Sequence, residues 1–197
     1  MNAPDPAFAI AETRAWVQRA VIGLNLCPFA KAVEAKGQVR YALSEASDED
    51  ALLAALCEEM HRLAQADPAE IDTTLLIHPQ VLKDFLDYND FLEAADAAVE
   101  ELGYAGVLQV ASFHPDYQFD GTAPDDVSNA TNRSPYPTLH LLREDSVDRA
   151  VMAFPEAESI FEDNMRTLEQ LGAEGWAELR EQCRADAQAD AKAADKA

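Results

Sequence analysis

Hydrophobic positions along the chain fall into two spacings, and each spacing predicts its own kind of element. Ala9, Trp16, Ala20 and Leu24, with Val17 and Val21 beside them, share one face of a helix expected over Ile10–Leu24. Gly23 weakens its end and Pro28 bars its continuation. Val39–Leu43 reads as a short strand. Ser47 and the acids after it predict a helix start, followed by an apolar stripe of Leu52, Leu53, Leu56, Cys57, Met60 and Leu63 that Pro68 breaks. Thr73–His78 is a compact apolar run, the signature of a buried strand. Over Asp84–Leu102, Phe85, Tyr88, Leu92, Ala95 and Val99 recur at helical spacing up to Gly103. Val107–Phe113 and Leu139–Leu142 supply a third and a fourth strand. Pro155 opens a further helix through Ile160, Phe161, Met165, Leu168 and Leu171, stopped by Gly172. A last helix after Trp176 fades into QADAKAADKA.

This order predicts an α+β (or α/β) fold. It is a single two-layer domain over residues 1–180, with helices packed on a small mixed four-stranded sheet and a long ordered loop between the third and fourth strands. The Ala/Asp/Lys-rich end, 181–197, has little to bury and is expected to be frayed or disordered. Right-handed crossovers would make the first three strands parallel if they are neighbours. His78 and His114, each at a strand end and each followed by proline, would then share the carboxyl edge of the sheet, where open α/β sheets bind ligands.

Charge narrows the partners. The 197 residues carry 37 acids against 15 bases, a net charge of −22. Such a field repels phosphate backbones and anionic lipid, so neither nucleic acid nor membrane is expected as a partner. A small anionic molecule remains open to a local basic site, because exposed charges are screened beyond roughly 8–10 Å. No apolar stretch approaches membrane-spanning length, and the acidic N-terminus does not read as a signal peptide. Three cysteines without short spacing are neither a disulfide framework nor a zinc ribbon, and with these features they point to the cytoplasm. The sequence carries no signal for a cofactor or an oligomeric state.

The loop from Ala111 to Glu144, ASFHPDYQFDGTAPDDVSNATNRSPYPTLHLLRE, runs about twenty residues without periodicity, a length usually reserved for function. Tyr117, Phe119 and Tyr136 argue that it is packed, and its prolines lower the entropy cost of ordering it. Asp116 stands where it can orient the His114 imidazole for acid–base work; the alternative is a turn cap beside a half-exposed ring. Arg133 presents a guanidinium fork to a carboxylate or phosphate, with Asn132 completing an anion nest and Tyr117 and Tyr136 nearby. Equally, it pins the loop by pairing with Asp120, Asp125 or Asp126. His140 sits inside an apolar strand, as a catalytic group or as a satisfied core residue. Near the N-terminus, Asn25-Leu26-Cys27-Pro28-Phe29-Ala30-Lys31 places a thiol at a helix start beside Lys31. The thiol is there a nucleophile with a lowered pKa, or a buried cysteine in an apolar turn.

Three blocks, GLNLCPFAK, ASFHPDYQF and TNRSPYPTLHLLRED, in this order resemble a bacterial family of unknown function, DUF1415, over roughly Trp16–Ala150. The resemblance implies that Cys27, Lys31, His114, Asp116, Tyr117, Asn132, Arg133, Tyr136 and His140 lie in the family's recurring blocks. It assigns them no role. Cys-Pro-Phe-Ala is also similar to the active-site turn of omega-type glutathione transferases, but a helix rather than a strand is expected before it.

Three functions are therefore expected from the residues. The first is an enzyme, hydrolase or transferase, acting on a small anionic substrate. Its catalytic groups would be His114, Asp116, Cys27 and His140, and Arg133, Asn132, Tyr117, Tyr136 and Lys31 would bind. The second is a zinc or iron site using His114 and His140 with Cys27 or Asp116. The third is a non-catalytic binding or regulatory module, with Cys27 redox chemistry as a weaker variant.

Overall fold

A computed structural model describes residues 4–154 and 159–194. Its sheet has four strands, β1 (Val39–Leu43), β2 (Thr73–Ile77), β3 (Leu108–Phe113) and β4 (Thr138–Arg143), in the order β1-β2-β4-β3. β1 and β2 are parallel, and β4 runs antiparallel to both β2 and β3. The first three strands thus point the same way, although β4 separates the second from the third. The fold is the expected α+β arrangement around a mixed four-stranded sheet.

Helices cover both faces of that sheet rather than the one expected. On one face, α3 (Glu49–Gln65) and α4 (Phe85–Glu101) bury Leu52, Leu56, Met60, Tyr88, Phe91 and Ala95 against Leu76, Leu108, Leu139 and Leu141. Opposite them lie α1 (Pro6–Trp16), the π-helical Val17–Ile22 and α6 (Ile160–Ala194), which pack Trp16, Ala20, Leu168, Trp176 and Cys183 against Leu75, Tyr41 and Phe113. The two-residue period of each strand sends alternate side chains to the two cores. β2 is buried along its whole length, which is why it reads as an unbroken apolar run.

Helix starts follow side-chain caps. Asp5 accepts from the Phe8 N–H at 3.0 Å with Pro6 in the first turn, and Asp84 accepts from the Leu86 N–H at 2.9 Å. α3 is capped by Asp48, at 2.9 Å from the Ala51 N–H, one residue after the expected Ser47. The first helix starts earlier than expected because Asp5-Pro6 supplies this signal. α2 (Ala30–Ala35) begins two residues after Pro28, near the helix start read around Cys27, and one short helix was not expected, α5 (Glu144–Ala153). Pro155, the expected helix start, lies outside the described residues.

The chain end differs most from expectation. α6 kinks at Gly172, whose φ of 68° glycine tolerates without strain, and then continues to Ala194. Cys183 and Ala187 are 2% and 0% exposed, and Arg19 of the π-helical segment holds Asp186 at 2.5 Å. Cys183 and Ala187 therefore pack into this face of the molecule from a helix whose Glu181, Gln182, Arg184 and Ala185 are exposed. Small and apolar residues there recur at helical spacing, which the low-complexity stretch that follows obscures.

Candidate functional site

The long loop is ordered by its own side chains. Asn129 is fully buried; its Oδ1 accepts from the Phe119 N–H at 2.9 Å and the Thr122 hydroxyl at 2.8 Å, and its Nδ2 donates to the Ala123 carbonyl at 2.9 Å. Sequence reasoning missed this residue, although an amide, with two donors and an acceptor, can bridge several backbone groups of a loop at once. Arg133 Nε donates to the Tyr117 carbonyl at 3.0 Å and its Nη2 to the Pro124 carbonyl at 2.7 Å. It pins the loop, as the structural alternative requires, through carbonyls and not through Asp120, Asp125 or Asp126. Asn132 Nδ2 donates to the Ser112 carbonyl at 3.1 Å, which ties the loop to β3 rather than leaving an anion nest. The Tyr117 ring lies against Phe85 and Phe119.

His114 is fully buried and both ring nitrogens are used. The Leu82 carbonyl lies 3.2 Å from Nε2, and the Asp116 backbone N–H donates to Nδ1 at 3.0 Å. Nε2 therefore carries the proton and Nδ1 the lone pair. The exposed Asp116 side chain does not orient the ring; its peptide nitrogen does. Burial holds the His114 pKa below its usual value. With no free nitrogen, the expected acid–base role is not available to it in this geometry.

His78 and His114 do meet at one sheet edge, ring against ring with Tyr88. His78 Nδ1 donates to the Val81 carbonyl at 3.2 Å, and burial pushes its pKa down to about 4. His140 faces the other way, into the α1/α6 side of the sheet. There the Thr73 hydroxyl sits 2.7 Å from its Nε2 and donates onward to the Leu141 carbonyl at 2.7 Å, so Nε2 is the donor. Burial takes its pKa to about 4 as well. Since His114 and His140 lie on opposite faces of the sheet, the expected metal site cannot form from them. Among the described residues no group of three His, Cys, Asp or Glu side chains is placed to hold a metal ion.

Cys27 precedes α2 by three residues instead of opening it. Burial raises its thiol pKa, with the Phe29 and Ala30 N–H groups pulling weakly the other way, so the expected thiolate is not favoured. Lys31 is exposed on α2.

A different set of residues surrounds a cleft of about 570 Å³, counting the space open to solvent, between α1, the long loop and α6. α1 contributes Glu12 and Trp16, and the loop contributes Arg133 and Tyr136 with two prolines. From α6 come Trp176, Arg180, Cys183 and Arg184, spaced so that one helix face carries them all, with Glu181 as a second carboxylate of the cleft beside Glu12. Of the residues singled out in the sequence, only Arg133 and Tyr136 reach this cleft. The Tyr136 hydroxyl donates to Glu12 Oε2 at 2.5 Å, and burial followed by that carboxylate pushes the phenol pKa up. Arg184 Nε lies 3.8 Å from Glu12 Oε1. Burial raises the Cys183 thiol to about 11, which leaves it protonated near neutrality.

Burial lowers the Arg133 pKa; the charge of Asp116 then raises it, that of Arg180 lowers it and that of Asp126 raises it, so the guanidinium feels a second cation and two carboxylates together. Neither Arg133 nor Arg180 makes an ion pair among the described residues, in a chain with more than twice as many acids as bases. A second groove, at the starts of α3 and α4, is lined by Asp48, Glu49, Asp50, Asp84 and Asp87, whose carboxylates disfavour an anion there.

Residues 8–178 match the family described as "Protein of unknown function (DUF1415)", and the chain belongs to that family. Trp16, Arg133, Tyr136 and Trp176 lie within the matched stretch; Arg180 and Arg184 lie just beyond it. No curated protein and no solved structure matches the chain. Among the described residues no helix is long and apolar enough to cross a membrane.

Proposed function

We propose that this chain binds a small anionic molecule, a carboxylate or phosphate, in the cleft between α1, the long loop and α6. The observation that carries the reading is the Arg133–Arg180 pair: both guanidiniums line one cleft and neither has a carboxylate within ion-pair distance, although the charges of Asp116 and Asp126 also reach Arg133. Guanidinium groups match carboxylate and phosphate oxygens two bonds at a time, and an anion between them relieves their repulsion. The acidic surface lends the site selectivity, since it turns away polyanions while a small anion needs only the local field.

A second, catalytic reading of the same cleft rests on the Glu12–Tyr136 contact. A buried carboxylate holding a phenol proton at 2.5 Å is acid–base equipment for a reaction on the bound anion. In this reading Glu12 is the base that takes a proton from the bound molecule and the Tyr136 hydroxyl positions its carboxylate, and the reaction class stays hydrolase or transferase.

The test is a thermal-shift and calorimetric series with inorganic phosphate and propionate on the wild-type chain and Arg180→Gln. A ligand at 100 times its Kd adds about 2.7 kcal/mol of stability. Stabilisation lost in Arg180→Gln supports the proposal. Equal stabilisation of both chains, or none, rejects it.

A further inference from the structure

The chain has two tryptophans, Trp16 and Trp176, and both line the arginine cleft. The indole Nε1–H of each is buried and has no hydrogen-bond partner. A buried donor left unpaired costs roughly 1–3 kcal/mol, and native structures rarely keep one without a reason. Two such donors in one cleft ask for an acceptor supplied from outside the chain. An indole N–H only donates, so the missing group must accept.

Glu12 decides what kind of acceptor. It lies one helical turn before Trp16 and is 7% exposed. Oε2 is taken by the Tyr136 hydroxyl at 2.5 Å, while Arg184 at 3.8 Å is too far from Oε1 for a hydrogen bond. An ionised carboxylate only accepts. The residues that line the cleft therefore include two with unpaired indole donors and one buried acceptor of negative charge. A second anionic oxygen there would face Glu12. A hydroxyl fits both demands, because its oxygen accepts from an indole and its proton goes to Glu12.

Building on the anion reading above, we propose that the ligand is a small hydroxylated anion. Its charged group lies between Arg133 and Arg180, and its hydroxyl is read by the indole N–H groups and Glu12. A hydroxy acid and a sugar phosphate share this chemistry. Loss of the hydroxyl leaves buried groups unpaired in the cleft, which makes the site selective against the deoxy analogue.

The two tryptophans make the test site-specific. The protein is labelled with ¹⁵N at the indoles, and the two resonances are assigned with Trp16→Phe and Trp176→Phe. It is titrated with glycerate and glycerol 3-phosphate, and with their deoxy counterparts propionate and propyl phosphate. The hydroxylated member of a pair binds about tenfold tighter, as one well-placed buried hydroxyl allows. Its binding also shifts at least one indole N–H downfield. The tighter of the two hydroxylated probes tells a carboxylate site from a phosphate site. Trp176→Phe keeps the ring, removes the donor and narrows the preference to about threefold or less; it carries the result where Trp16→Phe fails to fold. Equal affinity within each pair, with unmoved indole signals but binding still lost in Arg180→Gln, overturns this inference and leaves the anion reading standing. No Arg180-dependent binding of any of the four overturns both.

Discussion

On the α3/α4 side of the sheet, His78 stacks on Tyr88 and His114 tilts against it; on the α1/α6 side, Arg133, Arg180, Trp16 and Trp176 surround an open cleft. By residue type the first cluster looks the more catalytic. Its polar atoms, however, are spent within the fold apart from the buried His78 Nε2, which has no partner and lines neither groove. His114 uses both nitrogens, and the Tyr88 hydroxyl donates to the Thr138 carbonyl at 2.8 Å while accepting from the Phe113 N–H at 3.1 Å. In the cleft, two indole donors and two guanidiniums keep unused bonding capacity. Unused capacity facing a cavity, more than the identity of the side chain, separates a site from a packed polar core.

The largest expected effect is that of pH on the buried imidazoles. His78 and His140 titrate near 4 when folded and near 6.5 when unfolded. Below pH 6.5 the unfolded chain takes up protons that the folded chain refuses, so these groups lower stability as pH falls and their effect levels off below about 4. Each contributes roughly 3 kcal/mol over that window. Carboxylate protonation relaxes the acidic surface in the opposite sense. The readout is therefore the difference in urea-unfolding free energy between wild type and His140→Gln at pH 7.5 and 4.5, with the variant losing less. An identical pH slope in both chains breaks the picture of a packed neutral ring.

His114→Ala comes next, expected to cost about 3 kcal/mol of stability because a buried ring and two hydrogen bonds are lost together. Ligand affinity in the folded fraction stays unchanged. If urea unfolding shows no loss while anion binding disappears, the two regions have been assigned the wrong way round.

Asn129→Ala sharpens the comparison by joining stability to the site. Removing three contacts inside the loop is expected to cost about 2 kcal/mol. It also loosens the segment that holds Arg133, so anion affinity falls with it, and calorimetry on the folded variant checks this. Arg180→Gln has the smallest structural effect, within about 0.5 kcal/mol in thermal unfolding because the residue is exposed. Its effect on anion binding is a loss of about tenfold or more.

Much of the fold is legible from spacing. The four strands, the stripes of α3 and α4 and the order of the long loop follow from the period of apolar residues and from turn chemistry. The number of layers is legible only in β2, whose unbroken apolar run signals cover on both faces; β1, β3 and β4 carry polar residues among their apolar ones and do not show it. The insertion of β4 between β2 and β3 is not legible, because it depends on how the loop returns. At the site, Arg133 and Tyr136 stand out in the sequence, whereas Glu12, Trp16, Trp176, Arg180 and Arg184 do not. Trp16 reads as core because it is core on one side, against Phe113 at 5.3 Å between ring centroids. Trp176, Arg180 and Arg184 recur every four residues, a signal present in the sequence but masked by the alanine-rich end that follows. His114, His140 and Cys27 mislead for a common reason: a residue that can do chemistry also packs, and only the atoms around it show which it does.

The most direct test of the central claim is one calorimetric titration of phosphate or glycerate, run in parallel on wild type, Arg180→Gln and His114→Gln at pH 7.5, with melting temperatures measured on the same samples. The account predicts that Arg180→Gln keeps the wild-type melting temperature and loses binding, while His114→Gln melts lower and binds as wild type does. The opposite pattern, binding lost with His114 and retained without Arg180, would contradict it.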